Sequence, residues 1–271
     1  MTYEEKLQQY KDWIFRRSAY QMALAIISID KQTVAPSAGA AYRDERSAYL
    51  AGELFSIETD PAMVQLLKEL KDDPQIDGDN KRAVELYYKQ AMDTMCIPKE
   101  EFVAYQKLRD ESFDAWINAK SQSDYSIFEP YLKKIIEVSK KMYRYRNSDK
   151  NLYDQMLDDY EPGMTQEKYD VFFAALKERL VPLIQKVTQA KQKNEAFLHQ
   201  EFPIEDQKKF MTQLLEYLHF DSSWGYQNES EHPFTSWTCE NDCRTTTKYV
   251  KNDVVSAVLS TVHEVGHAAT R

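Results

Sequence analysis

The sequence predicts a mainly α protein, a single domain over 1–271: a multi-helix array over residues 1–220, then a small β-hairpin and a last helix over 221–271. Two observations predict the helices. Six Gly and nine Pro in 271 residues are about half the usual share, so tight turns are few. Apolar residues recur at spacings of three and four along most of the chain. A third observation predicts the hairpin. The texture changes after Phe220, where Thr, Val, Tyr, Phe and Trp gather in short runs, and these residue types suit strands.

The elements follow in order. Helix breaks are expected at Asp72-Asp73-Pro74 through Asn80, at Ile97-Pro98, from Ser121 to Ser126, at Asn147-Ser148-Asp149 and at Pro203, because Pro, Asn, Asp and Ser punctuate helices. Antiparallel packing of the resulting helices is expected. The clearest helix opens after Gly163-Met164-Thr165, with Tyr169, Phe172, Phe173, Leu176, Leu180, Leu183, Ile184 and Val187 forming one apolar stripe. Pro182 should bend this helix rather than end it, since the pattern continues beyond it. Residues 221–232 are polar and turn-like. Pro233 to Thr238 and Arg244 to Val250 read as two strands joined by a turn at Glu240-Asn241-Asp242, a polar run suited to turns. Asn252-Asp253 then caps the last helix.

Composition excludes several functions. The formal net charge is −9, whereas a nucleic-acid surface needs clustered Lys and Arg. No apolar run approaches the roughly 20 residues of a membrane span. The start, Met1-Thr2-Tyr3-Glu4-Glu5-Lys6, has neither a basic nor an apolar region of the signal-peptide kind. Three cysteines do not make a disulfide scaffold. A reduced, cytoplasmic protein is expected.

The last helix carries His263-Glu264-Val265-Gly266-His267. H-E-x-x-H places two imidazole ligands one turn apart, with a glutamate beside them as general base. The two histidines lie about 40° apart on the helical wheel and Glu264 about 100° from His263. Val255, Leu259, His263 and His267 fall on one ridge, which the pattern turns toward the core. A catalytic zinc site also needs a third protein ligand and an open position. A rival pattern, Cys239 and Cys243 with His263 and His267, would give a structural Cys2His2 zinc site. Its spacer is longer than the usual loop of about 12 residues, and it leaves Glu264 without a role.

The surroundings of the motif are more specific. His232-Pro233-Phe234-Thr235, Asp242-Cys243-Arg244-Thr245-Thr246 and His263-Glu264-Val265-Gly266-His267-Ala268 occur in that order. The chain thereby resembles the thermostable-type zinc carboxypeptidases of peptidase family M32, whose signatures include HPF, DxRxT and HExxH. Asp30-Lys31-Gln32-Thr33-Val34-Ala35-Pro36 with Arg43, Tyr160-Glu161-Pro162-Gly163-Met164 and Leu180-Val181-Pro182-Leu183-Ile184 are similar to further family segments. The resemblance covers essentially the whole chain and matches the N-terminal half of the family's length, as if truncated just after HExxH.

The resemblance implies a gluzincin-type, neurolysin-like helical array that removes C-terminal residues from peptides. It also implies dependence on zinc or cobalt and a cytoplasmic homodimer. His263 and His267 would be metal ligands and Glu264 the general base. His232 and Arg244 would line the substrate cleft. The family's third ligand, a later glutamate, has no counterpart in this chain. Weak or absent metal binding and negligible activity of the chain alone are therefore expected. A helical interaction module with a stranded half-site is the alternative.

Overall fold

The structure, a computed structural model, describes residues 1–146, 148–198 and 200–270. They form two compact units, residues 1–128 with 196–271 and residues 129–195. Both divides fall inside the 1–220 stretch.

The first unit opens with α1 (Tyr3–Thr33), α2 (Ala40–Glu58), α3 (Pro61–Lys71), α4 (Gly78–Met95) and α5 (Lys99–Gln122). Thr2 starts α1 through a capping box, its hydroxyl accepting from Glu5 N while Glu5 Oε2 accepts from Thr2 N. These reciprocal bonds satisfy two of the donors that every helix start leaves free. The expected breaks at 72–80, at Pro98 and at 121–126 separate the helices as anticipated. Leu67, Leu70 and Val84 are fully buried with Tyr10 and Trp13 in one core, each aliphatic side chain contributing about 1.5–3 kcal/mol. Trp13 Nε1 donates to the Ile57 carbonyl at 2.9 Å. Farther along α1, Lys31 Nζ meets Asp44 of α2 and Asp110 and Asp114 of α5, tying three helices at one buried cation.

The second unit holds α6 (Glu129–Tyr145), α7 (Leu152–Tyr160) and α8 (Gln166–Gln189). The expected break at 147–149 lies between α6 and α7, with Asn147 itself outside the described residues. Arg146 Nη1 and Tyr143 Oη both donate to the Asp159 carboxylate, at 2.7 and 2.9 Å. Helix α8 continues through Pro182, as the apolar periodicity predicts, and none of its residues is buried. Phe172, Leu183, Ile184 and Val187 are all exposed.

The first unit resumes after Glu195 with α9 (Ile204–Tyr217), β1 (Gly225–Glu229), β2 (Thr235–Cys239), β3 (Asp242–Thr247) and α10 (Val254–Ala269). The expected hairpin is β2–β3, paired antiparallel. A strand the sequence does not announce, β1, adds in parallel to the other side of β3, giving the order β1-β3-β2. Alternation gives the sheet two distinct faces. Gln227, Thr235, Trp237, Cys243, Thr245 and Thr247 share one, and Tyr226, Ser236, Arg244 and Thr246 the other, by register. The first face meets α10. Gln227 Nε2 donates to Thr261 Oγ1 at 3.3 Å and Thr247 Oγ1 to the Ala257 carbonyl at 3.2 Å.

Helix α10 starts where expected, Asp253 Oδ1 accepting from Ser256 N. Its orientation differs from the expected one. The buried residues are Ala257, Thr261, Glu264, Val265 and Ala268, while Leu259 is 63% exposed and His263 and His267 also face outward. Small side chains allow α10 to lie close against the strands, and that contact decides the face over the larger Val and Leu ridge. No helix among the described residues is long and apolar enough to cross a membrane.

Candidate metal centre

On the outward ridge of α10, His263 Nε2 and His267 Nε2 stand 3.0 Å apart. Their rings are 4.6 Å apart by centroid and perpendicular, at 89°. Two nitrogens each 2.0–2.1 Å from a tetrahedral zinc ion stand about 3.3 Å apart, so this pair fits one ion's coordination sphere. The chemistry of the donors fits as well, since neutral imidazole is a common ligand for zinc and its first-row neighbours. Among the described residues no group of three or more His, Cys, Asp or Glu stands together to hold a metal. The pair thus offers two donors, where a catalytic zinc site takes three protein ligands.

Glu264, on the adjoining side of the helix, is turned inward and buried. Thr235 Oγ1 lies 2.6 Å from Glu264 Oε2 and 2.9 Å from the Glu264 carbonyl. The carboxylate is thus held by the strand that follows His232-Pro233-Phe234. Glycine at 266 leaves the space beside the two imidazoles open, and no atom stands within 4 Å of a Cβ placed there.

The two sequence signatures before the helix interlock. Phe234 N donates to Thr246 Oγ1 at 2.9 Å, and Thr246 N donates to the Phe234 carbonyl at 2.9 Å. Ser230 Oγ lies 2.7 Å from both the His232 carbonyl and Thr246 Oγ1. Thr246, the final residue of Asp242-Cys243-Arg244-Thr245-Thr246, thereby fixes the loop that carries His232. The His232 side chain is exposed. Its neighbour Glu231 bridges Lys248 at 2.6 Å and Lys120 at 3.5 Å, and the Lys248 ammonium holds that carboxyl below its usual range.

Arg244 lies on the other face of the sheet from the residues that touch α10. It makes two contacts to the Asp242 carboxylate, Nη2 to Oδ2 at 2.9 Å and Nε to Oδ1. That bidentate pair lowers the Asp242 pKa and raises that of Arg244. Arg244 also lines a cavity of about 340 Å³, together with Asp30, Thr33, Tyr226, Asn228 and Thr238. Asp30 and Thr33 belong to the first family-like segment, so the fold brings these two signatures to one cavity. It brings His263, Glu264 and His267 together on α10 and sets Arg244 on the face turned from that helix.

The Cys2His2 alternative is not assembled. Cys243 is fully buried among Phe220, Val265 and Ala268, beneath the inner side of α10, whereas both histidines face outward. The sequence alone does not announce Thr235, Thr247 and Gln227 as contacts of α10. Their period-two placement in Thr-rich strands was the available signal.

Two imidazoles converging from one helix, with a glutamate between them tied to an adjacent strand, are the arrangement of a metallopeptidase. The comparisons narrow the class. The family model described as Carboxypeptidase Taq (M32) metallopeptidase matches residues 9–270. The chain is 36% identical over 269 residues to carboxypeptidase 1 of Bacillus subtilis, covering 98% of this chain and 53% of that protein. It is 30% identical to thermostable carboxypeptidase 1 of Thermus thermophilus, covering 93% and 52%. A solved structure of the Pyrococcus furiosus carboxypeptidase superposes with a TM-score of 0.85 at 26% identity, over 97% of this chain and 54% of that one. The chain belongs to the M32 family of metallocarboxypeptidases, whose members are metal-dependent. It spans about half the length of the curated relatives it matches.

Proposed function

We infer that this chain carries the metal-binding and general-base part of a zinc-dependent carboxypeptidase acting on peptides with free C-termini. His263 and His267 are the ligands, with cobalt as the alternative metal. The observation that carries the reading is the 3.0 Å approach of the two Nε2 atoms with Glu264 held inward between them.

His263 and His267 would hold a zinc ion, which when bound would supply an acidified water and a Lewis acid for the scissile carbonyl. Glu264 takes the attacking water's proton and passes it to the leaving amine. Arg244 and His232 line the substrate cleft. With two of three protein ligands in hand, the chain alone binds zinc weakly and turns over peptide negligibly. A cytoplasmic location and a homodimer complete the reading.

Zinc titration by calorimetry of the chain, beside His263→Ala and Glu264→Gln, tests the assignment. One-to-one binding that is lost in the His263 variant and kept in the Glu264 variant is the expected pattern. Equal loss in both, or binding indifferent to His263, defeats it. A second reading, a helical interaction module, is favoured by the outward apolar stripe of α8. A monomer in sedimentation at micromolar concentration counts against it.

A further inference from the structure

Glu264 is the member of its motif turned into the protein, and there it meets Thr235. A hydroxyl carries one proton. Of the two oxygens within reach, Glu264 Oε2 at 2.6 Å and the Glu264 carbonyl at 2.9 Å, the charged carboxylate is the stronger acceptor. The hydroxyl therefore contacts both the side chain of Glu264 and the helical turn that bears it. Thr235 is itself fixed. Its neighbour Phe234 is bonded in both directions to Thr246, it pairs across the ladder with Thr245, and a β-branched residue is stiff at χ1. A glutamate otherwise keeps considerable rotamer freedom.

We propose that Thr235 is a positioning residue that holds the Glu264 carboxylate so that its other oxygen, Oε1, faces the proton of the attacking water. The proposal rests on the reading of Glu264 as general base. It divides labour between the two upstream signatures: the residue after His232-Pro233-Phe234 reaches Glu264, and Thr246 locks the strand from which it reaches. A displacement of about 1 Å in such a group costs about 10²-fold in rate, so one hydroxyl is worth retaining.

The test uses Thr235→Val, which removes the hydroxyl at nearly constant shape, and Thr235→Ser, which keeps it. The chain is labelled with ¹³C at the glutamate carboxyls, and the Glu264 resonance is assigned by its loss in Glu264→Gln. That resonance should lie apart from those of the exposed glutamates in the parent and in Thr235→Ser. In Thr235→Val it should move toward them, with zinc affinity unchanged. A resonance unmoved in Thr235→Val, or Thr235→Ser behaving like Thr235→Val, overturns the proposal. So does an unchanged kcat for Thr235→Val in a preparation that hydrolyses peptide, where a fall of about 10- to 100-fold at constant KM is expected. Absent zinc binding by the parent would instead defeat the reading of His263 and His267 as ligands that hold zinc in this chain alone, and the resonance would still decide whether Thr235 holds Glu264.

Discussion

Lys31 Nζ lies 3.0 Å from Asp44 Oδ1, with side-chain exposures of only 8% and 7%. Asp110 and Asp114 approach the same ammonium at 3.6 and 3.4 Å, and the Asp110 backbone carbonyl accepts from it at 3.2 Å. One cation thus offsets three carboxylates among α1, α2 and α5. Burial pushes the Asp110 carboxyl above its usual range even with Lys31 beside it. Removing one partner of a buried pair leaves an uncompensated charge, at about 3–5 kcal/mol. Lys31→Met should lower stability by that amount, read from the urea midpoint, and a loss under about 1 kcal/mol would place the pair in the weak surface class.

The Asp242–Arg244 pair gives a pH signature. Arg244 lowers the Asp242 pKa in the folded chain, so the unfolded chain binds more protons through the acid range. The stabilisation is then present above about pH 4, the unfolded carboxylate range, and is lost as pH falls through the folded value. Both side chains are partly solvated, so the effect is at most about 1 kcal/mol. Urea midpoints of Asp242→Asn should fall less steeply with acidification than those of the parent. Parallel curves would mean the pair is inert.

Much of this was legible beforehand, and the exceptions have physical causes. Breaks at Pro98 and Pro203 and the Asp253 cap announce themselves because single residues with fixed chemistry set them. Strand β1 did not, since Gly225-Tyr226-Gln227-Asn228-Glu229 has weak strand propensity. It forms through pairing with β3 and the bond from Gln227 to Thr261. The turn of α10 was misread because hydrophobicity favours Val255 and Leu259 as the inner ridge. Close packing against Thr-rich strands selects Ala257, Thr261 and Ala268 instead, and a periodicity weighted by hydrophobicity cannot register that preference. The consequence reached the site: the histidines face outward, and Glu264 gained a strand partner that no motif names.

Thr245 offers a stabilising change. It is 1% exposed, and its hydroxyl has no hydrogen-bond partner among the described residues. A buried, unsatisfied polar group costs about 1–3 kcal/mol, and Val preserves the branched shape and favours strands. Thr245→Val should raise the urea midpoint by the equivalent of about 1 kcal/mol or more. A loss of stability would show that the hydroxyl is hydrated or bonded in solution.

Helix α8 makes the opposite case, in which large apolar residues stay exposed. Phe172, Leu176, Leu180, Leu183, Ile184 and Val187 lie along one stripe, and none is buried. A contiguous apolar surface of this kind marks an interaction site or an association liability. Replacing Leu176 and Leu183 by Lys removes no buried contact and keeps good helix formers in place. The double variant should unfold within about 0.5 kcal/mol of the parent, while sedimentation shows less self-association. A marked loss of stability at unchanged association state would mean that the stripe is covered by this same chain in solution. An unchanged weight-average mass at equal stability would move any self-association to another surface, the exposed Leu259 and Val262 of α10 being the next to substitute.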